Sequence, residues 1–143
     1  GQRLMLQESE GKKMADKKLL VVDDEVHILH VVAIKLRNNG YNVVTAQDGG
    51  EALDSVKEEK PDIVVTDYRM PVMTGLELVE KLREDPGTAK LPVILLTARG
   101  FSIDEQQSDE LGIAEFLSKP FSPKELLKII EDILFYRESV VNK

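Results

Sequence analysis

The sequence predicts an α/β fold: a doubly wound (βα)5 chain on a five-stranded parallel sheet. Three observations predict it. Short apolar runs alternate with segments of helical period from Lys18 onward. Helix-start signatures follow the runs. Four of the runs end in a polar or charged group, as expected where parallel strands share one ligand-binding edge. Strand–helix alternation implies right-handed crossovers and hence parallel pairing.

The elements follow in order. Leu19-Leu20-Val21-Val22 is a continuous apolar run, as a strand covered on both faces requires, and Asp23-Asp24 ends it. In the first helix Ile28, Leu29, Val32, Ala33 and Leu36 fall on one broad face and are assigned to the core. Gly40 is its stop signal. Asn42 to Ala46 is the second strand, and Asp48-x-x-Glu51 opens the second helix. Ile63-Val64-Val65 is the third strand, running through Thr66 to Asp67 and the turn Tyr68-Arg69-Met70-Pro71. Thr74-x-x-Glu77 opens the third helix. Pro92 to Leu96 is the fourth strand, ending at Thr97. Ser102-x-x-Glu105 opens a fourth helix, Ser102 to Leu111, whose large apolar residues are only Ile103 and Leu111. That helix is expected to be the least firmly packed. After Gly112, Ala114 to Leu117 is the fifth strand, followed by Lys119-Pro120. Ser122-x-x-Glu125 opens the last helix, with Pro123 at its first position, where a missing N–H costs nothing. Its apolar face is Leu126, Leu127, Ile129, Ile130, Ile133 and Leu134. In each box the cap oxygen accepts from the backbone N–H three residues on.

A chain of 143 residues, 42% of them hydrophobic, suits one domain with a full core. No apolar stretch approaches a bilayer span, and no signal peptide is expected. The absence of Cys excludes disulfides and thiolate metal sites, and the expected compartment is the cytoplasm. A net charge of −7 disfavours direct nucleic-acid binding. Residues 1–16 are read as an N-terminal extension or cloning remnant, 17–137 as the domain and 138–143 as a C-terminal tail.

The strand ends gather Asp23, Asp24, Asp67, Thr97 and Lys119. Crowded carboxylates repel one another unless a cation lies between them. Oxygen ligands without His or Cys point to Mg²⁺ or a similar hard ion. Asp24 and Asp67 are placed to ligate directly and Asp23 through water. One carboxylate can then attack phosphorus, with Lys119 offsetting negative charge and Thr97 donating to a phosphoryl oxygen. No Gly-rich loop follows the first strand, where Asp24-Glu25-Val26-His27 stands, so a dinucleotide site and a P-loop are both disfavoured. Neither His27 nor His30 neighbours a Ser suited to a hydrolytic triad.

Residues Lys17 to about Tyr136 closely resemble a bacterial response-regulator receiver domain of the chemotaxis-regulator type. The resemblance rests on Val22-Asp23-Asp24-Glu25, Asp67-Tyr68-Arg69-Met70-Pro71 with Gly75, Thr97-Ala98 and Lys119-Pro120-Phe121. It implies a flavodoxin-like three-layer sandwich with strand order 2-1-3-4-5 and a cis Lys119–Pro120 peptide. It implies that Asp67 accepts phosphate from a phosphohistidine on a sensor histidine kinase or phosphotransfer protein. Asp23, Asp24, Asp67 and the Arg69 backbone carbonyl would hold Mg²⁺. Thr97 and Phe116 would form a switch that changes the surface of helix 4, strand 5 and helix 5. Such a domain catalyses only its own phosphorylation and dephosphorylation. Arg69 and Arg99 occupy positions that tune phosphate lifetime in this family. His27, Val31 and Ile34, on the outer side of the first helix, are assigned to docking of the phosphodonor.

Two other readings compete. One is a receiver-like interaction module that acts without phosphorylation, against which stand all five intact site positions. The other is a Mg²⁺-dependent phosphatase with Asp67 as nucleophile; the second acid such enzymes use two residues on is replaced by Arg69. The expected output is a downstream protein or a domain outside this sequence, with no membrane partner. Both a stand-alone receiver and a piece of a longer regulator or hybrid kinase fit. A monomer is expected, with dimerisation on phosphorylation left open.

Overall fold

The structure is a computed structural model and describes residues 16–137. The readings made for residues 1–15 and for 138–143, including Val140-Val141, lie outside the described residues. The strands are β1 (Lys18–Val22), β2 (Asn42–Ala46), β3 (Ile63–Asp67), β4 (Val93–Thr97) and β5 (Glu115–Ser118). The helices are α1 (Val26–Asn38), α2 (Gly49–Glu59), α3 (Gly75–Glu84), α4 (Glu105–Leu111) and α5 (Pro123–Glu131), the last running into a π-helical turn, Asp132–Arg137.

All four strand pairings are parallel, in the order β2-β1-β3-β4-β5. Side chains alternate across a strand, so the sheet feeds two cores. Leu19, Val21, Ile63, Val65, Ile94 and Leu96 meet Leu29, Val32 and Leu36 of α1 and Leu126 and Ile130 of α5. Leu20, Val22, Val64 and Val93 meet Ala52 and Val56 of α2, Leu78, Val79 and Leu82 of α3 and Leu111 of α4. Every residue of β3 and β4 is buried, which is why these strands read as unbroken apolar runs. Ile28, assigned to the core, is only partly buried.

Three of the four predicted caps form. Asp48 accepts from Glu51 N, Thr74 makes a full capping box with Glu77, and Ser122 accepts from Glu125 N above Pro123. The fourth expectation is corrected: α4 begins at Glu105, capped by Asp104 rather than Ser102, and Ile103 precedes it. Asp104 accepts from Gln106 N at 3.3 Å, so the nearer acid takes the capping role. No helix of the described residues is long and apolar enough to cross a membrane.

The order 2-1-3 places β1 between β2 and β3, and the helices after β1 and β2 lie on opposite faces. A crevice opens at that reversal, outside the carboxyl ends of the strands. Asp23 follows β1 and Asp67 ends β3, so both fall at its mouth.

Candidate functional site

Asp23 is fully buried and Asp67 is 5% exposed. Asp23 accepts from the Glu25 backbone N–H at 2.9 Å and from Lys119 Nζ at 3.1 Å. The same ammonium lies 3.3 Å from Asp67 Oδ1 and 3.5 Å from Glu25 Oε1. Lys119 reaches this position because its backbone N–H donates to the Thr97 carbonyl at 2.7 Å, continuing the β4–β5 ladder one step past the strand. The Lys119–Pro120 peptide is cis, as the resemblance implied.

Burial pushes the Asp67 carboxyl up to about 6; Asp23 and, more weakly, Asp24 push the same way, while Lys119 opposes them. Burial also raises Asp23, against the pull of the Glu25 N–H and Lys119. Burial alone would lower Lys119, but the charges of Asp23 and Asp67 outweigh it and raise the ammonium's pKa. Within ion-pair distance one cation, Lys119, faces three carboxylates, Asp23, Glu25 and Asp67.

Asp23, Glu25 and Asp67 each offer an oxygen, and these oxygens lie within 4.8 Å of one another. A hard, all-oxygen donor set beneath an excess of negative charge fits Mg²⁺. Glu25 had not been singled out in the sequence; its signal was a third acid directly after Asp23-Asp24. Asp24 is exposed and stands outside this tight group, acting on Asp67 through its charge.

Thr97 ends β4 beside β3 and is 4% exposed. The backbone at Asp67 is held by a close approach. Gly75 N donates to the Tyr68 carbonyl at 2.8 Å. A Cβ at Gly75 would stand 2.5 Å from the Asp67 carbonyl oxygen and 2.8 Å from Leu95. Met70 is buried below, and Met73 packs on Gly49, as gap-fillers should.

A groove of about 790 Å³ opens from Asp67 between α1 and the start of α5. His27, Val31, Arg69 and Arg99 line it with Tyr68, Phe101 and Phe121. Val31 is 57% exposed; Ile34, at 55%, lies further along α1, outside the lining. Phe116 is half-buried on β5, 6.3 Å from the Phe101 ring, which in turn lies 4.7 Å from Tyr68. Phe101 was also missed, because nothing local marks a loop aromatic as part of a site.

Residues 19–131 match the family described as the response regulator receiver domain. The alkaline phosphatase synthesis transcriptional regulatory protein PhoP of Bacillus subtilis is 40% identical over 83% of this chain and 49% of its own length. The phosphate regulon transcriptional regulatory protein PhoB of Pseudomonas aeruginosa is 35% identical over 85% of this chain and 53% of its own. The chain thus spans about half the length of these curated relatives. Among solved structures, the chemotaxis response regulator CheY4 of Vibrio cholerae superposes with a TM-score of 0.76 at 36% identity, covering 82% of this chain and 98% of that one. With its parallel 2-1-3-4-5 sheet and its acids at the β1–β3 crevice, the chain belongs to the response regulator receiver domain family.

Proposed function

We propose that Asp67 accepts a phosphoryl group from a phosphohistidine on a sensor histidine kinase or histidine phosphotransfer protein in the cytoplasm. The observation that carries this reading is the buried Asp67 carboxylate, at the open edge of the sheet and 3.3 Å from the Lys119 ammonium. A carboxylate oxygen there can attack phosphorus while Lys119 offsets charge on the phosphoryl oxygens. Asp23, Asp24, Asp67 and the Arg69 carbonyl would hold Mg²⁺, with Glu25 beside them. When bound, the ion would neutralise the crowded acids and the incoming phosphate.

An aspartyl phosphate carries roughly −1.5 to −2 charge at one point, where the carboxylate carried −1. The Thr97 hydroxyl then turns to a phosphoryl oxygen, and Phe116 takes the space it leaves, changing the α4–β5–α5 face. Charge-assisted hydrogen bonds contribute about 1.5–3 kcal/mol each. Two or three approach the ~5.5 kcal/mol needed for a near-complete two-state shift. Arg69 and Arg99, on the groove, slow the attack of water on the phosphate. His27, Val31 and Ile34 receive the donor protein.

Treatment with acetyl phosphate or fluoroberyllate plus Mg²⁺, read by mass and by spectral change, tests the reading. The wild type responds and Asp67→Asn does not. An inert wild type, or a responsive Asp67→Asn, ends it.

A further inference from the structure

The groove beside Asp67 has two chemically different parts. Around the acceptor stand cations: Lys119 at 3.3 Å, with Arg69 and Arg99 on the lining. Next to them stands an aromatic wall. The Tyr68 and Phe101 rings lie 4.7 Å apart and tilted by 55°, and both line the groove that contains Asp67. Phe116 backs Phe101 at 6.3 Å, inclined by only 29°. The loop around Phe101 is otherwise exposed at Ala98, Arg99, Gly100 and Ser102. One ring packed between two others on such a loop is an aromatic surface beside the acceptor, not a stray apolar side chain.

We propose that Tyr68 and Phe101 receive the leaving group of the phosphoryl donor and favour a flat cationic ring, the imidazole of a phosphohistidine. The proposal rests on Asp67 being the acceptor. In the transfer a bond forms between an Asp67 carboxylate oxygen and phosphorus as the P–N bond breaks. The P–N electron pair passes to the ring, which already carries a proton on its other nitrogen and leaves as neutral imidazole. The donor therefore enters as an anionic phosphoryl group joined to a cationic ring. Lys119, Arg69 and Arg99 complement the first part. The π faces of Tyr68 and Phe101 complement the second, since an aromatic face attracts a cation. Phosphoramidate also carries a protonated nitrogen but has no flat ring to lie against the wall, so it gains less from it.

The test compares two small donors, N-phosphoimidazole and phosphoramidate, on the full chain with Mg²⁺, scoring Asp67 phosphorylation by mass. The readout is the ratio of the two rates, which a general loss of folding or of metal would leave unchanged. Phe101→Leu and Tyr68→Leu should each lower the imidazole-to-phosphoramidate ratio by about three- to fivefold, the scale of an exposed cation–π contact. Phe101→Tyr should keep the ratio. The Tyr68 backbone contacts to Leu96 and Gly75 survive the side-chain change. If both donors slow equally in the leucine variants, the wall has only a structural role and the proposal fails. If neither donor phosphorylates the wild type, the reading of Asp67 as acceptor fails first.

Discussion

Two successive βα units of this sheet have the same plan and opposite rigidity. In the first, β3 ends at Asp67 and leads into α3. In the second, β4 ends at Thr97 and leads into α4. The first unit is tied down throughout. Tyr68 N donates to the Leu96 carbonyl, Gly75 N returns to the Tyr68 carbonyl, and α3 has a complete capping box with Leu78, Val79 and Leu82 buried. The second unit buries only Leu111 from its helix. Its tether at the far end is Arg83, whose guanidinium donates to the carbonyls of Leu111 at 2.6 Å and Leu91 at 2.8 Å. The first unit is thereby the more firmly packed of the two, and the second the readier to open locally.

The largest expected effect breaks the rigid unit. Gly75→Ala puts a methyl against the Asp67 carbonyl and Leu95. Overpacking of backbone on backbone should cost about 3 kcal/mol and displace Asp67. Chemical denaturation would show the loss, and phosphorylation by acetyl phosphate should fall with it. Native stability in the Gly75→Ala variant would show that the approach is not tight.

Next comes the charge stored in that unit. Asp67 has a folded pKa of about 6, above the ordinary carboxylate value of 3.8. The folded state therefore binds more protons than the unfolded one across this window, and stability falls as pH rises from about 4 to 6. Without added metal, Asp67→Asn should gain about 2 kcal/mol over wild type at pH 7 and almost nothing at pH 3.5. Paired melts at the two pH values measure it. An equal gain at both would assign the effect to something other than charge.

The loosely packed unit should respond to loss of its tether. Arg83→Ala should cost about 1–2 kcal/mol and speed hydrogen exchange at Gly112, whose N–H is bonded to Ser108. Exchange within α3 should stay slow. Equal acceleration in both helices would erase the contrast between the units.

The smallest effect sharpens it. Val72 has φ 72° and is fully exposed, and Met73 N bonds back to the Pro71 carbonyl at 2.8 Å. This is a tight turn in a region that β-branched residues avoid. Val72→Gly should raise stability by about 1 kcal/mol, the relief of strain exceeding the added freedom of the unfolded chain. A lower melting temperature would show that Val72 relieves no strain when replaced.

The sequence disclosed whatever depends on local pattern. Strand cores follow from unbroken apolar runs, and Asp48, Thr74 and Ser122 cap as their spacing said. Asp23, Asp67 and Lys119 come together, with Thr97 on the same edge, because parallel strands end there, so position at a strand end was enough to place them side by side. Contacts between distant segments were hidden. Glu25 joins Asp23 and Asp67 only through the turn into α1. Arg83 reaches residues 28 positions away, a contact that no local pattern announces. Ser102 matched a capping pattern, but in an acid-rich segment the pattern recurs, and Asp104 was the better-placed acceptor.

Lys119 has one more consequence for the site. Its ammonium is fixed by Asp23, Asp67 and Glu25 at 3.1, 3.3 and 3.5 Å before any anion arrives. A free lysine gives up as much as ~2 kcal/mol of rotamer freedom on being immobilised. Here that loss has already been met in folding, so a visiting anion encounters a donor that changes partners without changing place.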